Sequence, residues 1–393
     1  MLTENKYLTE NTELFDKVLE ANPIEKTDDN DKAEVKHPYD AAKIDIRSMN
    51  ISLEQLVKRL KQQRINLYPE YQRLPELWDV KKMSMLIESL LIRIPIPVFY
   101  FDGSNDTWEV VDGLQRLSAL KRFMIDKDGD LNTEKKEIKT LRLAGLEYLK
   151  DIEGKTFDEL PPFLQSRIEE TQLMVYVINP GTPPEIKFNI FKRINTGGLI
   201  LTAQEIRNAL NQGIPSRFVH QLAAMEEFKQ ATNWNIPTTR MEDGDFVTRF
   251  IGFYDDYSKY EPDLDSYLNK GLAALIIKTE QERTIISDGF KRAMEAMFEI
   301  FGNDAFRKRY DINDRRKPIN KALFDAFSVN LAKLNLYNLD KLKNRKDRFK
   351  NGFIELMNND DFNRAVTSST SDRNSVRIRF EKIEELISTT IQS

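Results

Sequence analysis

The chain has 393 residues, with 59 Lys/Arg against 63 Asp/Glu, two histidines, no cysteine and a formal net charge of −4. That length holds two or three domains with real cores. The absence of cysteine excludes disulfides, thiol nucleophiles and thiolate metal sites. His37 and His220 lie far apart, which leaves no cluster for His-based metal binding or an HNH-type nuclease. His220 reads as a partly buried structural residue on a helix. No apolar run reaches the roughly 18 residues of a membrane span. The start is acidic, without an apolar signal core, so a cytoplasmic protein is expected.

The charge is unevenly spread. Residues 1–40 carry 11 Asp/Glu against 5 Lys/Arg, whereas residues 301–350 carry 14 Lys/Arg against 6 Asp/Glu. Residues 1–44 therefore read as an acidic, flexible arm, with one short amphipathic helix through Leu14, Phe15, Val18 and Leu19. Ser52 caps a helix with apolar positions at helical spacing. An extended piece bounded by Pro69 and Pro75 follows, carrying Gln72 and Arg73. A second helix runs from Asp79 to Leu91. Val98–Phe101 and Thr107–Val111 alternate as a β-hairpin, and a helix starts at Leu114. Two further strands are expected at Leu141–Ala144 and Thr171–Ile178, with a helix from Pro161 to Glu170 between them. Helices at Glu185–Ile194 and Thr202–Asn211 flank the loop at Asn195, Gly197 and Gly198. From Asp245 onward the periodicity is almost wholly helical.

Four patterns could carry chemistry. At residues 108–117 a strand runs into Asp112-Gly113, and a helix with Gln115 and Arg116 in its first turn follows. A helix start offers unpaired N–H groups and partial positive charge, and Arg116 would add a cationic fork, so phosphate is one reading. The other is a capping box of Asp112 with Gln115. Thr202 and Glu205 form a second capping box, beside a glycine loop that either makes a turn or touches a ligand. Gln72 and Arg73 reach phosphate or a base edge, or Arg73 simply pairs with Glu70 or Glu76. The last pattern is basic: Arg307, Lys308 and Arg309, then Arg315, Arg316 and Lys317, then the run from Lys341 to Arg348. It reads as a nucleic-acid face or as solvated helix surfaces; the interspersed Phe306, Tyr310, Phe324, Phe327 and Phe349 read as core.

In order, Tyr71-Gln72-Arg73, Trp78, Ile87–Leu91, Ile94–Pro97, Asp112–Arg116 and Ile194–Gly198 with Leu201 and Glu205 resemble the N-terminal domain family of GmrSD-type modification-dependent restriction systems, the DGQQR family. The likeness spans roughly residues 45–255. It implies an α+β architecture: a ParB/sulfiredoxin-like core over 45–215, then a helical domain over 216–393. It also implies Mg²⁺-dependent binding and hydrolysis of a nucleoside triphosphate. By position, Asp112, Gln115 and Arg116 would be catalytic, Asp112 would hold the metal, and Gln72, Arg73, Gly113, Asn195 and Gly197 would bind nucleotide. The first Gln of the motif is Leu114 here, a departure that bears on hydrolysis more than on binding. The expected partners are DNA, modified or not, a separate HNH-type nuclease subunit and a further copy of the chain. An inert DNA-binding adaptor and a ParB-like nuclease are the alternative readings.

Overall fold

The computed structural model describes residues 23–25, 45–67, 78–128, 139–194, 202–211 and 213–392. These fall into two units, one within Tyr39–Leu201 and Asn208–Gln212, the other within Met1–Pro38, Thr202–Arg207 and Gly213–Ser393. The first carries a mixed sheet and the second is helical, so the architecture is α+β.

In the sheet unit, β1 (Ile46–Ser52) leads into α1 (Leu53–Lys61). Ser52 caps α1 as expected, its side chain accepting the Gln55 N–H at 3.2 Å. Leu53, Leu56, Val57 and Leu60 form the buried stripe of α1. β2 (Ile65–Asn66) is short, and α2 (Val80–Leu91) starts at Asp79, whose carboxylate accepts the Lys82 N–H at 2.7 Å. β3 (Phe99–Asp102) and β4 (Trp108–Asp112) form the expected antiparallel hairpin, and α3 (Leu114–Met124) follows. α4 (Pro162–Glu169), β5 (Gln172–Ile178) and α5 (Pro184–Ile194) complete the unit.

The strand order is β1-β5-β3-β4-β2. β3 runs parallel to β5, and β2 runs parallel to β4. One face of the sheet is apolar: Phe99, Phe101, Val175 and Val177 pack with Leu56 of α1, Ile87 of α2, Leu120 of α3 and Ile168 of α4. Each such fully buried aliphatic or aromatic side chain contributes about 1.5–3 kcal/mol.

Two expectations need correction. β1 was not foreseen as a strand; it pairs antiparallel with β5 from Ile46–Ile178 to Ser52–Gln172. Leu141–Ala144 is not a strand, because its amides find other acceptors. Leu141 N–H donates to the Arg122 carbonyl, Leu143 N–H to that of Lys155, and Ala144 N–H to Ser84 Oγ at 2.9 Å. Glu88, 4% exposed, extends this anchorage by accepting the N–H groups of Glu147, Tyr148 and Leu149 at 2.7–2.9 Å. Burial would raise its carboxyl, but those three bonds hold it below the usual carboxylate range.

The helical unit begins with the first part of α6 (Ala203–Leu210) and continues through α7 (Ile214–Ala223), α8 (Glu226–Ala231), α9 (Glu242–Tyr254), α10 (Leu264–Ile277) and α11 (Glu280–Phe301). α12 (Lys321–Ala332), α13 (Leu336–Asn344), α14 (Lys346–Met357), α15 (Asp360–Thr367) and α16 (Arg373–Gln392) follow. Phe246, Phe250, Phe253, Phe290, Phe324 and Phe327 make an aromatic core. The expected capping box at the start of α6 is present: Thr202 N–H donates to Glu205, and Glu205 N–H donates to Thr202 Oγ1. Arg207, 2% exposed, pairs with Asp245 and Asp265. Burial would raise the Asp245 carboxyl, but Lys321, Arg207 and Arg249 hold it at about 2.

Between α11 and α12 the chain is irregular rather than helical. Its Ile319 is bridged by Ile24 on one side and Arg307 on the other. Glu25 N–H donates to the Ile319 carbonyl at 2.8 Å, and Ile319 N–H donates to that of Pro23 at 2.9 Å.

Candidate functional site

The sheet face opposite the apolar core is polar, and its residues are set by strand register. Side chains alternate between faces, so directly paired residues share one. One row runs Ser48–Tyr176–Tyr100–Asp112 across β1, β5, β3 and β4. The next runs Ile46–Ile178–Asp102–Glu109–Asn66. On β4, Glu109 and Asp112 are three residues apart, an odd step that would ordinarily place them on opposite faces. The register shifts between Tyr100 and Phe101, leaving Val111 as an extra residue, and this bulge returns Asp112 to the face of Glu109. The Tyr100 and Tyr176 rings stack at 5.1 Å.

Asp112 opens directly into α3. Gly113 is the N-cap residue, at φ 101°, and has no side chain of its own to cap the helix start. The capping box of Asp112 with Gln115 is therefore not formed, since the cap position is one residue later. A Cβ at Gly113 would lie 2.4 Å from Phe99 Cδ1, so the glycine is fixed both by its backbone and by the ring beneath it. Arg116, 8% exposed, donates to Asp112 Oδ2 at 2.8 Å and to the carbonyls of Pro97 and Val98, and its guanidinium lies over the Phe99 ring at 4.6 Å. Burial pulls its pKa down, and Asp112 opposes that shift. The fork expected to reach outward is thus turned inward, where it fixes Asp112 and joins the Pro97–Val98 turn to α3. Asp112 Oδ1 has no partner among the described residues.

The second row holds a cluster that reading along the sequence did not find. Asp102 accepts from Lys187 of α5 at 2.8 and 3.1 Å, and from the N–H and hydroxyl of Ser104. Gly103 permits this turn, because a Cβ there would lie 2.5 Å from Val177 Cγ1. Glu109 faces Asp102 across the hairpin and has no hydrogen-bond partner among the described residues. Burial first, then the Asp102 charge, raise its carboxyl to about 7, with Lys187 opposing. The folded chain therefore holds a proton on Glu109 that the unfolded chain releases above about pH 4.5, so stability falls between about pH 4.5 and 7. Glu109→Gln should raise the melting temperature over wild type at pH 8 and leave it unchanged near pH 4.5. A difference independent of pH would refute this assignment.

Residues 53–212 match the family model of the N-terminal domain of GmrSD restriction endonuclease, and that stretch contains both rows' acidic residues, the start of α3 and Lys187. This segment is a GmrSD-type N-terminal domain. That family of domains belongs to restriction systems. No curated protein and no solved structure gives a significant match to the chain.

Within the GmrSD-type domain, Asp112, Gly113, Gln115 and Arg116 cluster at the start of α3. Leu114, the departure from the family motif, packs against the apolar core of the sheet. Gln72, Arg73, Asn195 and Gly197 lie outside the described residues. Among the described residues, no group of three or more His, Cys, Asp or Glu side chains is placed to hold a metal ion, and no helix is long and apolar enough to cross a membrane.

The basic residues of the helical unit divide in two. Arg307, 2% exposed, donates to the carbonyls of Asn303 and Lys317, and burial, then the nearby Arg316, push its pKa down to about 10. Lys308 is buried against Glu25 and Thr367, at 2.6 and 2.7 Å. Arg309 pairs with Asp304 at 2.8 Å. These three, expected on a nucleic-acid face, are instead tied into the fold; Glu25, from the acidic arm, neutralises one of them. Arg315 is exposed, and Arg316 and Lys317 are half-buried. The aromatics follow expectation, with Phe306, Phe324, Phe327 and Phe349 buried. His220, expected to be partly buried, is exposed on α7.

Proposed function

We propose that this chain is a nucleotide-dependent DNA-sensing or regulatory subunit of a restriction or anti-phage system, binding and hydrolysing a nucleoside triphosphate with Mg²⁺. The observation that carries the reading is the start of α3, whose N-cap is a glycine without a capping side chain, with Asp112 beside it on the polar face of a GmrSD-type domain. The first-turn amides and the helix dipole suit phosphate oxygens. Gly113 lets them approach the backbone, and Gln115 lies in the same turn. Mg²⁺ commonly takes one or two protein carboxylates and completes its shell with phosphate oxygens and water, so the single open Oδ1 of Asp112 fits it. When bound, the ion neutralises phosphate charge. Arg116 acts through Asp112, holding the carboxylate in place, rather than by clasping phosphate. Gln72, Arg73, Asn195 and Gly197 complete the nucleotide side in this reading, and the core is of the ParB/sulfiredoxin type.

DNA is assigned to Arg315, Arg316 and Lys317, which are exposed or half-buried where Arg307 and Lys308 are buried. A separate HNH-type nuclease subunit would cut, and nucleotide state would set DNA affinity. The test is phosphate release by the purified chain with Mg²⁺, with and without DNA, beside Asp112→Ala and Arg116→Ala. Turnover should vanish in the first and fall in the second, with binding followed by calorimetry. Absence of turnover and of triphosphate binding in wild type would overturn the reading. The inert-adaptor alternative draws on Leu114, which fills core space where the family motif carries an amide. It expects salt-sensitive DNA binding that ignores nucleotide.

A further inference from the structure

We propose that Glu109 is the proton acceptor for the water that attacks the terminal phosphate, with Asp102 and Lys187 as its positioning pair. This rests on the hydrolytic reading above and adds a residue outside the motif. Three observations carry it. The bulge at Val111 puts Glu109 and Asp112 on one face of β4, so a phosphate held at the start of α3 lies along the same surface as Glu109. Of the facing carboxylates, Asp102 is consumed by Lys187 and Ser104, whereas Glu109 keeps both oxygens without a partner among the described residues. Glu109 is half-buried, and its surroundings hold its affinity for a proton near neutrality, which is where a general base works best.

The groups facing Glu109 can be named. β3 supplies Asp102 and, one row along, Tyr100; α5 supplies Lys187; β2 supplies the uncharged Asn66; its own strand supplies Asp112. Asp102 disfavours the Glu109 carboxylate and Lys187 favours it, so the pair sets where Glu109 ionises. In the step itself, the water oxygen forms a bond to the γ-phosphorus and gives its proton to the Glu109 carboxylate. The bond from the γ-phosphorus to the β,γ-bridging oxygen breaks, with its electron pair leaving on the nucleoside diphosphate. Inorganic phosphate is the other product, and Glu109 returns its proton to solvent.

The experiment compares wild type, Glu109→Gln, Glu109→Asp and Lys187→Met as full chains, with phosphate release from ATP and GTP between pH 5.5 and 9 and triphosphate binding by calorimetry at pH 8. Wild type should show an acid limb centred near pH 7. Glu109→Gln should lose about 100- to 1,000-fold in kcat and lose the limb, while binding stays within a few-fold. Lys187→Met should move the limb to higher pH, because the cation favouring the carboxylate is gone. A Gln variant that keeps both turnover and limb overturns the proposal. Should that variant prove unfolded by melting, an Asp variant with unshifted limb and full turnover overturns it equally. Wild type without turnover in any condition sinks the hydrolytic reading itself, whereas wild-type turnover beside an unaffected Gln variant sinks only the role of Glu109.

Discussion

Asp325→Ala should destabilise the helical unit by about 3–5 kcal/mol, the cost of leaving a buried ion pair without one partner. Asp325 is fully buried on α12 and receives a bidentate fork from Arg249 of α9, at 2.9 and 2.7 Å. Arg379 of α16 adds a third bond at 3.0 Å. Both guanidinium groups are at most 2% exposed, and burial already pulls the Arg379 pKa down. One carboxylate is therefore shared by two buried cations from two different helices, and its removal takes from both their common counter-charge. Urea unfolding followed by tryptophan fluorescence and far-UV circular dichroism gives the comparison. Asp325→Asn should lose most of the same stability, since the amide keeps the shape and loses the charge. A triple replacement, Asp325→Leu with Arg249→Met and Arg379→Met, should recover much of it. A loss below about 1 kcal/mol for the alanine variant would mean that water or neighbouring carbonyls satisfy the two arginines.

Gly113→Ala should cost about 2–4 kcal/mol and, under the proposed function, remove nucleotide binding, through strain and overpacking that act together. The residue stands at φ 101°, and the new methyl would meet the Phe99 ring at 2.4 and 2.9 Å. Phe99 also lies under the Arg116 guanidinium, so any shift of the ring loosens the bond that holds Asp112. Relieving the contact separates the two causes. Phe99→Leu in the Gly113→Ala background should return part of the stability, and the part not returned is backbone strain. Equal melting temperatures for wild type and Gly113→Ala would show that the backbone relaxes at no cost.

Several elements were legible because their causes are local. Ser52, Asp79 and the Thr202/Glu205 pair announce helix starts within three residues, and the alternation around 102–107 announces the hairpin. β1 was not legible, because its partner lies 120 residues or more away and only Ile51 of its seven residues is buried. Leu141–Ala144 has the composition of a strand, but Ser84, Arg122 and Lys155 take its amides. At the site, the motif from Asp112 to Arg116 stood out in the sequence, whereas the inward turn of Arg116 depended on carbonyls 18 and 19 residues earlier. The trio of Asp102, Glu109 and Lys187 exists only through strand register and a helix some 80 residues downstream. The basic run misled for a related reason: Glu25, nearly 300 residues upstream, buries one of its cations.

The extra residue in β4 also sets how this hairpin can change over generations. Alternation makes the strand a two-state counter, and Val111, taken up by the bulge, lets a four-residue step part Trp108, which packs on the apolar side, from Asp112 on the other. Deleting that residue together with its bulge keeps both side chains on their faces, because a regular three-residue step also reverses the face. Keeping the residue while losing the bulge is the change that fails, turning either the carboxylate into hydrocarbon or the indole into water. Relatives aligned on the Asp-Gly pair should therefore carry either the bulged spacing or one residue fewer, and vary freely in the turn between Asp102 and Trp108.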